Sequence, residues 1–169
     1  MPLTEIELRR TPHDRRLYAL PSFGTVRFEG FWTRRGVADA DGERWVFGRT
    51  GFWKRIIAAT DPTGSIVGRF VPREIRRGGK LSWRGAEYTV APASLLRERY
   101  ALRADGVDED IALLEGKSWG KRPVRIALAD PEALEPGLLL FAAYVVQQLA
   151  NSAADNASAG SVAVMSASS

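Results

Sequence analysis

Residues 136–157 read PGLLLFAAYVVQQLANSAADNA, with an unbroken apolar run from Leu138 to Val146 and no charge between Glu135 and Asp155. Such a run either crosses a membrane or lies inside a protein. Its apolar part, Gly137 to Ala150, is 14 residues long. At about 1.5 Å per residue it would reach roughly 21 Å, short of the ~30 Å hydrocarbon core of a bilayer. No Lys or Arg flanks it to set an orientation, and Tyr144 is its only candidate for an aromatic belt. The reading is therefore a buried helix and no transmembrane span. Asp130 before Pro131, with Glu132 in the first turn, is a helix-start signature, and Pro136 with Gly137 would break or restart the helix. The helix is expected over about 131–150. Because it is apolar on all sides, it has to be surrounded on all sides.

What could surround it is written upstream. From Thr4 to about Leu128 the chain alternates short apolar stretches with turn dipeptides, and the helical period is almost absent. EIEL places Ile6 and Leu8 on one side, TVRFEG opposes Val26 and Phe28 to Arg27 and Glu29, RWVFG pairs Trp45 with Phe47, and KLSWRG pairs Leu81 with Trp83. EYTVA, YALRA, DIALLEG and PVRIAL continue the pattern, which is the two-residue period of strands. Between them ADADGE, TDPTGS, RRGGK, WRGAE and RADGVDE supply the Asp and Gly residues that tight hairpins need. Ten to twelve strands are expected, with PASLLRERY open to a short helix starting at Pro92. An open sheet of that size would expose two long edges, so it should close. A barrel of about twelve strands is too wide for its own side chains to fill. The unfilled lumen and the all-apolar helix answer each other: the expected fold is mainly β, a closed antiparallel barrel of about 12 strands with a hydrophobic C-terminal helix through its centre.

Composition limits the functions. A chain of 169 residues, 45% hydrophobic and 26% charged, suits one globular domain. It has no cysteine, which removes disulfides, thiolate metal sites and thiol redox chemistry. The N-terminus MPLTEIELRRTPHDRR lacks the basic-then-apolar pattern of a secretory signal, so the expected location is cytoplasmic. The charge is uneven: no Lys or Arg follows Arg125, and residues 1–129 hold all 24 basic residues against 16 acidic ones.

The succession RWVFGRTGFWKRIIAATDPTGSIVGRF, then GKLSWRGAEYTV, then RPVRIAL, then LLLFAAYVVQQLA resembles the tubby-like fold of LURP-one-related and phospholipid-scramblase-like proteins. The resemblance covers roughly Leu17 to Leu149. It implies a twelve-stranded barrel threaded by a hydrophobic C-terminal helix, and a non-enzymatic module that binds phosphoinositide headgroups through basic side chains, peripheral to a membrane. By this division 1–16 is an N-terminal strand and lead-in, 17–150 the barrel with its helix, and 151–169, built from Ser, Ala, Asn and Gly, a disordered tail. The calcium-binding segment of scramblases has no counterpart, since ADADGE and RADGVDED lack the spacing of a calcium loop.

Catalytic motifs fail in context. EGKSWGK holds a formal G-x-S-x-G from Gly116 to Gly120, but the strand KRPVRIAL follows Ser118 where a helix is needed, and the sole histidine, His13, lies far upstream. A phosphate loop would need glycine at the position of Ile111. No carboxylates are paired by spacing, so neither a catalytic site nor a cofactor or metal is expected.

The most suggestive feature is GRFVPREIRRGGKLSWRG, where Arg69, Arg73, Arg76, Arg77, Lys80 and Arg84 outnumber Glu74. These cations could form an anion-binding patch, with Trp83 inserting at a membrane interface or stacking on a base. They could equally be the solvent-facing members of alternating strands. A second cluster, Arg49, Lys54 and Arg55, surrounds Phe52 and Trp53. Anionic membrane lipids are the expected partner. Nucleic acid, favoured by a sequence pI near 9.8 but unsupported by any helix-turn-helix or RNA-binding motif, is the alternative, and an interaction module with no polyanion ligand is the third.

Overall fold

The computed structural model of the chain describes residues 2–29, 35–51, 55–75, 77–94, 96–117 and 120–167, with side chains described as far as Ser158. Twelve strands form one closed antiparallel barrel: β1 (Thr4–Arg10), β2 (Leu17–Leu20), β3 (Gly24–Glu29), β4 (Arg35–Ala40), β5 (Glu43–Thr50), β6 (Ile56–Thr60), β7 (Ile66–Pro72), β8 (Gly79–Trp83), β9 (Ala86–Pro92), β10 (Arg99–Ala104), β11 (Ala112–Gly116) and β12 (Val124–Leu128). Each strand pairs with its neighbour in sequence, and the ring shuts through β1. Thr4 to Leu8 pair with Leu128 to Val124, while Arg9 and Arg10 pair with Ala19 and Tyr18. Closure leaves no unpaired edge. The N-terminal strand is thus a stave of the barrel, the shared partner of β2 and β12. PASLLRERY is divided between the end of β9 at Pro92 and the start of β10 at Arg99.

Alternation decides which face of each strand looks inward. Phe70 on β7, Leu81 and Trp83 on β8, Leu102 on β10, Leu114 on β11 and Ile126 on β12 are buried, while Arg69, Lys80 and Arg125 between them are exposed. The lumen is occupied by α1 (Pro136–Ala167), in which every residue from Gly137 to Val146 is buried. Pro136 to Ser158 is long and apolar enough to cross a membrane, with a mean hydropathy of 1.2, but 78% of the apolar window is buried inside the barrel. The helix begins at Pro136 and not at Pro131: a helix begun at Pro131 would hold Pro136 in its interior, where it has no amide to donate and its ring clashes with the preceding turn, whereas in the first turn neither cost arises. It also runs past Ala150 to Ala167, so the expected disordered tail is helical over most of its length. Alanine-rich sequence favours this, and the Ser152 and Ser158 hydroxyls donate to the carbonyls of Gln148 and Ala154, four residues back.

Glycines let helix and wall approach. A Cβ on Gly116 of β11 would come within 2.9 Å of Val146, and one on Gly137 of α1 within 2.5 Å of Trp83 and 2.9 Å of Trp45. Aromatic rings complete the filling: Phe47 lies 5.2 Å from Phe141 and 5.4 Å from Tyr144, and Trp83 lies 5.7 Å from Phe141. Towards its exit α1 turns polar. Gln147, Gln148 and Asn151 are buried, and their side-chain oxygens have no donor among the described residues.

Two substitutions test the filled barrel. Val145→Asp would bury an unpaired charge at the centre, a change that costs several kcal/mol, and is expected to abolish cooperative folding. Gly116→Val should fold but lower the unfolding free energy by about 1–3 kcal/mol through overpacking against Val146. An unchanged urea midpoint for either variant would contradict the helix's placement in the lumen.

Candidate functional site: a basic rim

A meander sends alternate loops to opposite ends of the barrel. The loops β1–β2, β3–β4, β5–β6, β7–β8, β9–β10 and β11–β12 share one rim, and the loops β2–β3, β4–β5, β6–β7, β8–β9, β10–β11 and β12–α1 share the other. The helix enters at the second rim, where Gly137 meets Trp45 and Trp83, and leaves at the first, where Arg49 Nη2 donates to Ser152 Oγ at 3.0 Å.

Charge divides along the same line. Among the described residues, the loops of the exit rim carry Arg15, Arg16, Arg55, Arg73, Arg77, Arg97, Lys117, Lys121 and Arg122, against Asp14, Glu74 and Glu98. The loops of the entry rim carry Arg84 alone, against Asp41, Asp61, Asp105, Asp108, Glu109, Asp110, Asp130, Glu132 and Glu135. One end of the barrel is strongly basic and the other strongly acidic.

Some of the basic rim's charge is already spoken for. Arg77 Nη2 lies 3.0 Å from Glu98 Oε1, and the buried Tyr100 hydroxyl donates to Glu98 Oε2 at 2.6 Å. Burial, with the Glu98 carboxylate beside it, pushes the Tyr100 phenol far above its usual range. Arg122 is held by Glu7, which also meets Arg9 and Arg125 at 3.3 and 3.4 Å. Asp14 accepts from the Arg16 amide at 2.8 Å and pairs with Arg27, which together hold its carboxyl below the ordinary value despite some desolvation. Arg15, Arg55, Arg73, Arg97, Lys117 and Lys121 are exposed and have no ion-pair partner among the described residues. Between the β5–β6 and β7–β8 hairpins a notch of about 230 Å³ is lined by Arg55, Glu74, Ile56 and Val71.

The residues singled out in the sequence are therefore not one patch. Arg73 and Arg77 belong to the basic rim, and Arg76 lies outside the described residues. Arg69 and Lys80 stand on the outer wall, where Lys80 Nζ binds Asp105 Oδ1 at 2.7 Å. Arg84 sits at the acidic rim, a strand of roughly 16 Å away. There it pairs with Glu43, lies 3.1 Å from Glu135 Oε1, and places its guanidinium 5.8 Å from the Trp45 ring centre and 6.0 Å from that of Trp83. Arg84 clamps the start of α1 to the barrel. Trp83 is 2% exposed and points into the lumen, so its ring is not presented at the surface; the two-residue alternation that turns Lys80 and Ser82 outward turns Trp83 in.

Of the second cluster, Arg49 and Arg55 lie at the same rim as Arg73 and Arg77, while Phe52, Trp53 and Lys54 lie outside the described residues, as does Ser118. Arg15, Arg97, Lys117 and Lys121 escaped the sequence reading because they are scattered along the chain, and it is the pairing order of the closed barrel that groups them. Among the described residues no group of three or more His, Asp or Glu could hold a metal ion. A groove of about 500 Å³ at the acidic rim is lined by Glu43, Arg44, Asp61, Val67 and Arg84. No protein-family model, curated protein or solved structure matches the chain.

The clamp is testable by itself. Arg84→Met should lower stability by about 0.5–1 kcal/mol, the range for a half-exposed network of this kind, and the loss should shrink at high salt. A salt-independent loss would assign Arg84 a packing role alone.

Proposed function

We propose that the chain is a non-enzymatic binding module for anionic phospholipid headgroups at a membrane surface, and that the basic rim is the contact. The observation that carries this reading is the segregation of charge between the two ends of the barrel. Exposed cations held on hairpins of a rigid barrel attract anionic lipid at about 1 kcal/mol per Lys or Arg near the surface. The opposed acidic rim turns the molecule so that its basic end arrives first. The tubby-like resemblance points the same way, towards phosphoinositide recognition by basic side chains and a cytoplasmic, membrane-peripheral location. The barrel and its central helix are the architecture it implies. The site we assign differs from the hairpin singled out in the sequence: it comprises Arg15, Arg55, Arg73, Arg97, Lys117 and Lys121, and leaves out Arg84, Lys80 and Trp83.

Sedimentation with vesicles checks the proposal. The protein should bind phosphatidylcholine vesicles containing phosphatidylserine or a phosphoinositide, and ignore pure phosphatidylcholine. The combined variant Arg15→Glu, Arg73→Glu, Arg97→Glu and Lys121→Glu should lose that binding at about 0.15 M salt, where the screening length is near 8 Å, while Arg69→Glu on the outer wall should retain it. Equal binding by both variants would overturn the assignment of the rim. Duplex DNA that displaces the vesicles and binds with a steep salt slope would favour nucleic acid instead, and no binding to either would leave a protein-interaction module.

A further inference from the structure

The two most exposed large hydrophobic residues among those described are Ile75, at 95%, and Leu96, at 96%; the next, Leu3 and Ile66, reach only 52%. Neither Ile75 nor Leu96 packs on the core. Both lie in loops of the basic rim, Ile75 between β7 and β8 and Leu96 between β9 and β10. The two loops are neighbours, because β8 pairs with β9, and the Arg77–Glu98 ion pair ties one to the other. Each apolar side chain is therefore held on a short hairpin next to a cation without an ion-pair partner: Arg73 two residues before Ile75, and Arg97 directly after Leu96.

We propose, building on the headgroup reading above, that the barrel docks end-on, with Ile75 and Leu96 inserted below the headgroups of an anionic bilayer and the barrel axis standing close to the membrane normal. An aliphatic side chain exposed at nine-tenths or more on a loop tip costs solvation without contributing to the fold, and burial recovers it. Of the polyanions the basic rim could meet, only a lipid surface offers an apolar layer beneath its charges. A nucleic acid presents flat bases, on which aromatic rings stack and branched aliphatic groups do not. The acidic rim at the far end excludes the reverse orientation by repulsion.

The absence of cysteine from the chain makes the test direct. Ile75→Cys, Leu96→Cys and, as an acidic-rim control, Val107→Cys are each labelled with an environment-sensitive fluorophore and mixed with phosphatidylcholine–phosphatidylserine vesicles. The labels at 75 and 96 should shift to the blue and become shielded from an aqueous quencher on binding, and the label at 107, itself 47% exposed, should not. The variant Ile75→Ser with Leu96→Ser should bind the same vesicles roughly tenfold or more weakly, with the salt slope unchanged because the charges remain. Both side chains being almost fully exposed, this variant keeps the fold, which its thermal melt verifies. If the double-serine protein binds as tightly as the parent, or the labels at 75 and 96 stay wet on bound protein, the insertion is wrong while the headgroup reading survives. If the parent protein binds no anionic vesicle, both fall together.

Discussion

The structure depends on one mutual requirement: a helix with no polar face for its first three turns needs apolar surroundings on every side, and a twelve-strand ring needs something to fill it. Gly137 to Val146 are entirely buried because the staves enclose them, and the staves keep their inward Leu, Phe and Trp out of water because the helix is there. The fit extends to individual contacts, with Gly116 and Gly137 omitting side chains where backbone meets ring or helix. The aromatic ladder Phe47, Phe141, Tyr144 and Trp83 fills the widths between.

With the interior committed to packing, charge is left to the outer wall and the two ends. A meander alternates its turns between two rims, so a sequence that is only moderately basic overall becomes a molecule with a basic end and an acidic end. The central helix serves both. Its start is fastened at the acidic rim by Arg84 between Glu43 and Glu135, and its polar residues Gln147, Gln148 and Asn151 come where it leaves the lumen beneath the basic rim. Ion pairs among the rim residues are selective. Glu98 and Glu7 fix Arg77 and Arg122 in place, while the other seven cations of that rim have no ion-pair partner among the described residues.

The hairpin GRFVPREIRRGGKLSWRG illustrates how a run of charge misleads. It looks like one patch because its cations are close in sequence, yet a strand carries successive residues to opposite faces and its two ends to opposite rims. Trp83 went to the core, Arg69 and Lys80 to the outer wall, Arg73 to one end and Arg84 to the other. Proximity along a β-chain is a poor guide to proximity in space. The loops on either side of a strand pair are the better guide, and by that measure Arg55, Arg73 and Arg97 belong together although more than forty residues separate the first from the last.

The sequence by itself determined the class of the fold. Period-two alternation, regular turn residues and one uniformly apolar segment are local signals, and together they admitted a closed barrel around a helix, because unpaired edges and an empty lumen are both costly. It placed the helix's start five residues early, at Pro131 instead of Pro136, and missed its end, where alanine-rich chain is as compatible with helix as with disorder. Only the tertiary structure decided that β1 closes the ring, that Arg84 is a clamp, and that Arg15, Arg55, Arg73, Arg97, Lys117 and Lys121 share a rim with Ile75 and Leu96. These are facts of pairing and register between residues distant in the chain, and such contacts are fixed by closure of the whole barrel and not by any segment of it.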